Sequence, residues 1–213
     1  MSVAHQLDTQ QRYTYQDYLR WPDEVRYELL DGEPVMMSAP STMHQRVIRE
    51  LVRQIGNFLL GKSCEVFPAP FDVCLAAADA ADDQINNVVQ PDISVICDSN
   101  KVHDKGCKGA PDWIIEVLSP STASRDLIHK LRLYERYGVR EYWVVHPIDR
   151  VVMMWQLCAD SGRYGAVLIE ETQGTQTSAL FPDLVLEWDV LFPPPEPPVY
   201  VKEPPPGVYY SRS

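Results

Sequence analysis

The chain has 213 residues, 45% of them hydrophobic and 23% charged, with 30 acidic against 19 basic side chains for a formal net charge of -11. A chain this long buries roughly two-thirds to three-quarters of its unfolded surface, so it needs neither a disulfide framework nor a metal in order to fold. The acidity excludes bulk coating of nucleic acid, which rests on many lysine and arginine contacts to phosphate, and no apolar run approaches the ~18 residues of a membrane span.

Thr14 is placed to cap a short helix, TYQDYLRW, that Pro22 stops. In RYELLDGEPVMM the Asp31–Gly32 pair lies between two short apolar runs and predicts a hairpin. From Thr42 to Leu60, residues Val47, Ile48, Leu51, Val52, Ile55, Phe58 and Leu59 recur at helical spacing and Gly61 supplies the stop, which predicts a long amphipathic helix. CEVFPAPFDVCLAA reads as two strands broken by prolines, and ADAADDQINN as an acidic surface loop. PDISVIC (Pro91 to Cys97) and DWIIEVLS (Asp112 to Ser119) follow as strands joined by a loop with lysines and glycines. Ser124 is expected to cap the helix RDLIHKLRLYERYG, which Gly138 closes. Three more strands, REYWVVHP, RVVMMWQL and YGAVLIEE, have Asp149–Arg150 and Ser161–Gly162 in their turns. The pattern is that of an α/β (α+β) chain, with a mixed sheet flanked by helices.

Eight of the eighteen prolines fall in the last 21 residues, where each fixes its own φ and removes a backbone donor. The packed domain is therefore expected over residues 1–192. Residues 193–213 are read as an extended polyproline tail on the surface or on a partner, or as a ligand for a proline-reading module. Charge is segregated too. Residues 1–98 carry 7 basic and 15 acidic side chains (net -8), residues 141–213 carry 4 and 10 (net -6), and residues 99–140 carry 8 and 5 (net +3). The five cysteines, Cys64, Cys74, Cys97, Cys107 and Cys158, form no C-x-x-C pair and no zinc-like spacing. All five are expected to be small buried hydrophobes in a reducing compartment. MSVAHQLDTQQR has no basic segment followed by an apolar core, so the expectation is a cytoplasmic protein.

Two carboxylates stand out by position. Glu116 lies inside WIIEVL, a run with no alternation that reads as buried on both faces, where an unpaired charge costs several kcal/mol. Asp92 opens the preceding strand, and consecutive strands are neighbours about two-thirds of the time. Two carboxylates brought together repel unless a cation lies between them or one is protonated. All-oxygen ligation suits Mg²⁺ or Mn²⁺, which bind through one or two carboxylates and keep waters free. Lys130, in the next helix, borders the stripe of Leu127, Leu131 and Tyr134, and its stem can reach back to the strand end. There it could steady phosphate charge or position a water. Each residue has a plainer alternative. Asp92 could cap a strand, Glu116 could be a structural carboxylate bonded to backbone amides, and Lys130 could pair with Asp126 on the surface at i,i+4. His44 is read as a cap or a satisfied polar group. Tyr134, Tyr137, Tyr142 and Trp143 are read as core packing.

PDISVI, a lysine-bearing loop, PDWIIEVLSPST, D-x-x-x-K-x-x-x-Y and GVREYWVVHP, preceded by YELLDGEPVMMS and a helix led by His44, together resemble one family. It is the bacterial restriction-endonuclease-like branch of the PD-(D/E)xK nuclease superfamily, and the resemblance runs from Tyr13 to Phe192. It implies a restriction-endonuclease-like core with an N-terminal helix and hairpin, and a metal site made by Asp92 and Glu116. It also implies that Glu28, in YELLDG, enters that site from the N-terminal segment, as structural or catalytic residue. The superfamily pattern places a lysine two residues after the glutamate, where this chain has Leu118; the family shifts that role to the following helix and hence to Lys130.

The function expected from this resemblance is Mg²⁺- or Mn²⁺-dependent hydrolysis of DNA phosphodiesters, with Asp92, Glu116, Lys130 and Glu28 as the catalytic set and DNA as a transient partner. The rival is a catalytically inactive module that keeps the fold for binding or assembly through its proline-rich tail. A third reading is an enzyme acting on another phosphate ester. Paired sites for duplex cleavage and the apolar strands after Val139 point to a homodimer.

Overall fold

The computed structural model describes residues 7, 8, 10–22, 25–77, 79–119 and 123–192, so the tail expected at 193–213 lies outside the described residues. Thr14 opens helix α1 (Tyr15–Tyr18), its N–H and hydroxyl donating to the Asp17 carboxylate at 3.0 and 2.9 Å. Strands β1 (Tyr27–Leu30) and β2 (Glu33–Met36) form the expected hairpin, and its turn holds Asp31 at φ 49 and Gly32 at φ 81, the left-handed pair of a tight two-residue connection. Helix α2 (Thr42–Leu59) starts at Ser41, whose hydroxyl accepts from the His44 amide. Then come β3 (Glu65–Pro68), β4 (Asp72–Cys74), β5 (Val88–Val89), β6 (Ile93–Ile96), β7 (Val102–His103), β8 (Gly106–Lys108) and β9 (Trp113–Val117). A π-helical stretch, Arg125–Lys130, runs directly into α3 (Leu131–Tyr137). Strands β10 (Glu141–His146), β11 (Val151–Cys158), β12 (Arg163–Tyr164) and β13 (Leu168–Glu171) precede a small ribbon of β14 (Thr175–Thr177) and β15 (Val185–Glu187).

The α+β class holds, with the strands divided between two larger sheets. One runs β2-β1-β5-β4-β8-β7; the other runs β12-β11-β10-β9-β6-β3, with β13 on β11. The second is mixed, because β10 lies parallel to β9 while β6 lies antiparallel to it. Alternation along β9 sends Trp113, Ile115 and Val117 to one face and Ile114 and Leu118 to the other. The first face packs on Val47, Leu51 and Ile55 of α2. The second packs on Leu133 and Tyr134 of α3 and on Val73, Val89 and Cys107 of the other sheet. Glu116, at an even position of β9, therefore points between the central sheet and the Arg125–Tyr137 helix.

Strands β4 and β8 approach closely. Gly106 sits at φ 140 opposite Asp72, and a Cβ there would lie 2.1 Å from the Asp72 carbonyl oxygen, so only glycine fits.

Three expectations are corrected. Ser124 is already helical, at φ -65 and ψ -38, and its side chain caps nothing. YGAVLIEE is two short strands, because Gly165 still bonds Gln156 in the register of Leu157 with Tyr164, whereas the pairing of Met154 with Leu168 is offset from it by one residue. The cysteines are not all buried thiols. Glu65 pairs with Ile96, which makes Cys64 and Cys97 the next facing pair, and they are joined by a disulfide. Cys158 is exposed, whereas Cys74 and Cys107 are buried, and burial pushes both thiols up to about 12.

Candidate active site

The antiparallel register of β6 and β9 pairs Ile93 with Ile115 and so brings Asp92 opposite Glu116. The two carboxylates clamp the strands reciprocally. The Asp92 N–H donates to Glu116 Oε2 at 3.3 Å, and the Val117 N–H donates to Asp92 Oδ2 at 2.7 Å. Glu28 reaches the same place from β1, where it is 1% exposed and its Oε1 accepts from the Gln90 N–H at 2.9 Å. Lys130 Nζ lies 2.8 Å from Glu28 Oε1, 2.8 Å from Glu116 Oε1 and 3.8 Å from Asp126 Oδ1. The structure thus brings together all four residues of the expected set.

The helix above the sheet supplies three side chains at a spacing of four: Asp126, Lys130 and Tyr134. An α-helix overshoots one turn in four residues, whereas a π-helix falls short of one. Because the first interval lies in the π-helical stretch and the second enters α3, the two drifts cancel and the three residues stack in line over Glu116. The Tyr134 hydroxyl donates to Glu116 Oε1 at 2.8 Å, and the Tyr142 hydroxyl donates to the Asp126 carbonyl at 3.0 Å. Neither tyrosine is packing alone. The Lys130–Asp126 pair exists but is buried, not on the surface.

His44, the third residue of α2, places Nε2 at 3.0 Å from Asp92 Oδ2. Gln90 fixes Glu28 through its backbone, and its side chain donates to Asp72 at 2.7 Å and to the Tyr18 hydroxyl at 3.0 Å while accepting from Arg26. His44, Tyr134 and Gln90 are outside the expected set. The sequence signals that point to them are the helix-leading position of His44, the four-residue step from Lys130 to Tyr134, and the place of Gln90 before Pro91–Asp92. Asp112 takes no part, accepting instead from the Cys97 N–H at 2.8 Å and pairing with Arg140. Leu118 is buried in the core on the same face as Glu116, so the position of the superfamily lysine is apolar here and the ammonium arrives from the helix.

Electrostatics follow from burial and crowding. Burial pulls Lys130 down, but Glu116 and Glu28 outweigh it and hold the ammonium charged, well above the usual lysine value. Burial pushes Glu116 well above the usual carboxylate range; Lys130 opposes this, while Asp126, Asp92 and Glu28 add to it. Burial lowers His44, but the hydrogen bond and charge of Asp92 outweigh it, so the ring favours its proton. Burial and Glu116 raise Tyr134, which stays a donor.

The site forms the floor of a cleft of about 410 Å³ that Ser41, His44, Asp92, Glu116, Arg125 and Lys130 help to line. Lys130 meets Glu28, Glu116 and Asp126 while Asp92 meets His44, and Glu28 Oε2 is buried without a hydrogen bond, with Arg125 Nη1 4.0 Å away. Among the described residues no three His, Cys, Asp or Glu side chains form a ready cage for a metal. The oxygen donors and the orphaned oxygen fit a cation of Mg²⁺ type held by one or two carboxylates and water.

A mixed sheet with flanking helices and a carboxylate pair at adjacent strands defines a nuclease-like fold. The crystal structure of a putative nuclease belonging to DUF820 from Anabaena variabilis superposes with a TM-score of 0.66, covering 84% of this chain and 97% of that one at 19% identity. Residues 15–189 match the Uma2 family, described as "Putative restriction endonuclease", and the chain belongs to that family. An uncharacterised protein of Synechocystis sp. is 30% identical over 121 residues, 56% of this chain and 60% of that protein, so the match spans less than two-thirds of the relative. No helix among the described residues is long and apolar enough to cross a membrane.

Replacing Lys130 by methionine leaves Glu28 and Glu116 buried without their cation and is expected to cost about 3–5 kcal/mol in urea unfolding. Adding Glu28→Gln should recover part of the loss, because one stranded charge is then gone. An unchanged unfolding free energy for Lys130→Met contradicts the buried ion cluster.

Proposed function

We propose that the protein is a Mg²⁺- or Mn²⁺-dependent endodeoxyribonuclease in which Asp92 and Glu116 hold the metal and Lys130 and Glu28 complete the catalytic set. The observation that carries this reading is the meeting of these four side chains on the floor of one cleft. A divalent cation held there would lower the pKa of a bound water and neutralise charge on the phosphate.

The chain's own groups have defined work beside it. Lys130, held charged between Glu28 and Glu116, brings positive charge to the cleft floor, where phosphate charge would develop, and can orient a water. Tyr134 holds Glu116 in place, and Gln90 does the same for Glu28. His44 fixes one oxygen of Asp92 from α2. Arg125 lines the cleft 4.0 Å from Glu28 Oε2 and stands where a phosphate would enter.

Duplex cleavage commonly uses paired sites, one from each of two copies. Val167, Leu168 and Ile169, exposed on and beside edge strand β13, offer an apolar edge for that. Light scattering should give twice the chain mass; a monomer at all concentrations removes the dimer.

Plasmid nicking tests the activity. The wild type is expected to relax supercoiled DNA with Mg²⁺ or Mn²⁺ and to stop on chelation, and Glu116→Ala should lose at least ~100-fold in rate. Equal cleavage by both proteins, or none by either across substrates, contradicts the proposal.

A further inference from the structure

The helix that carries Lys130 inward presents a second set of residues outward. Arg125, His129, Arg132 and Arg136 are spaced four, three and four apart, so they share one face across the π-helical stretch and α3. His129, Arg132 and Arg136 are exposed, and Arg125 is half-buried. Together they form one wall of a groove of about 760 Å³ whose other wall is the β1–β2 hairpin. Arg125 also lines the cleft over Glu116, so the groove leads into the candidate site.

The hairpin wall brings Asp31 and Glu33, and each is already engaged. Asp31 pairs with Arg136 at 2.5 Å, and Glu33 pairs with Arg12 at 2.6 Å. Four arginines, Arg12 among them, thus face two carboxylates. The groove is net positive on a chain of net charge -11, and its helix wall lies within residues 99–140, which carry 8 basic and 5 acidic side chains. Both hairpin pairs are solvent-exposed and so are weak and replaceable by a competing anion. From Arg125 to Arg136 the helix advances about 16 Å, enough to track several successive phosphates of one strand.

We infer that this groove binds the DNA backbone beside the scissile phosphodiester, with Arg125, Arg132 and Arg136 as phosphate-positioning residues. The inference rests on the nuclease reading and names where its substrate lies. Guanidinium groups suit this task because their fixed fork matches phosphate oxygens. Contacts of this kind set register and affinity, not base sequence.

The test is binding without cleavage. Full-length protein in chelator is titrated onto a labelled DNA duplex by fluorescence anisotropy over roughly 50 to 200 mM salt. Arg132→Ala/Arg136→Ala is compared with wild type and with Arg132→Lys/Arg136→Lys, and thermal melting checks the fold of each. The alanine pair should bind more weakly and show a shallower dependence of log K on log salt, by about 1.8 for two lost phosphate contacts. The lysine pair should restore the slope, because it keeps both charges. An unchanged slope in the folded alanine pair, or no measurable binding by wild type, overturns the inference. Failure of every protein to cleave with metal while the slope behaves as expected would remove the hydrolytic reading and leave the groove standing.

Discussion

One ammonium group holds the candidate site together. Lys130 is 3% exposed and touches two carboxylates that come from different sheets, with a third one turn back on its own helix. Taking such charges out of water costs several kcal/mol each, so the arrangement persists only where partners and hydrogen bonds repay it. Tyr134, Gln90 and the reciprocal strand amides do that for Glu116, Glu28 and Asp92. What they do not satisfy is the second oxygen of Glu28. That remainder distinguishes the cluster from Glu141, another buried carboxylate, which accepts from Trp143, Ser178, Ala179 and Leu180 and is saturated by protein donors. Glu141 is structural, whereas the Lys130 cluster keeps one buried carboxylate oxygen without a hydrogen bond.

The fold serves this constraint from three directions. The β6–β9 register fixes Asp92 against Glu116, the hairpin delivers Glu28, and the helix delivers Lys130 from above. The π-helical stretch lets residues four apart stack in line, which an unbroken α-helix would splay. The same helix therefore divides into an inward acidic, lysine and tyrosine line and an outward arginine line, one meeting the candidate site and the other the solvent groove. Their meeting point is Arg125. Overall acidity and local basicity are reconciled on this one element: the charge of the chain disfavours loose coating of DNA, while the groove carries the opposite sign toward the site.

Much of this was legible in the sequence. Glu116 stood out because a carboxylate in an unbroken apolar strand needs a partner, and Asp92 because consecutive strands usually pair. The Asp31–Gly32 turn and the α2 stripe were readable for local reasons, turn chemistry and helical period. Lys130 and Glu28 depended on the family resemblance as much as on position. The rest was hidden by distance along the chain. His44 reaches Asp92 across 48 positions, a contact that helix capping alone does not suggest. Tyr134 looked like core because it is core on every side but its hydroxyl. The Cys64–Cys97 disulfide depends on a strand register that spacing rules do not contain, and the π-helical stretch has no period that a window of apolar residues reveals.

The most direct measurement is the anomalous density of a crystal soaked in Mn²⁺. A single peak within about 2.2 Å of carboxylate oxygens of both Asp92 and Glu116, lost in crystals of Glu116→Ala, is the predicted result. Density confined to the protein surface, with Lys130 unmoved between Glu28 and Glu116 in saturating Mn²⁺, would contradict it and leave the cluster a closed structural ion network.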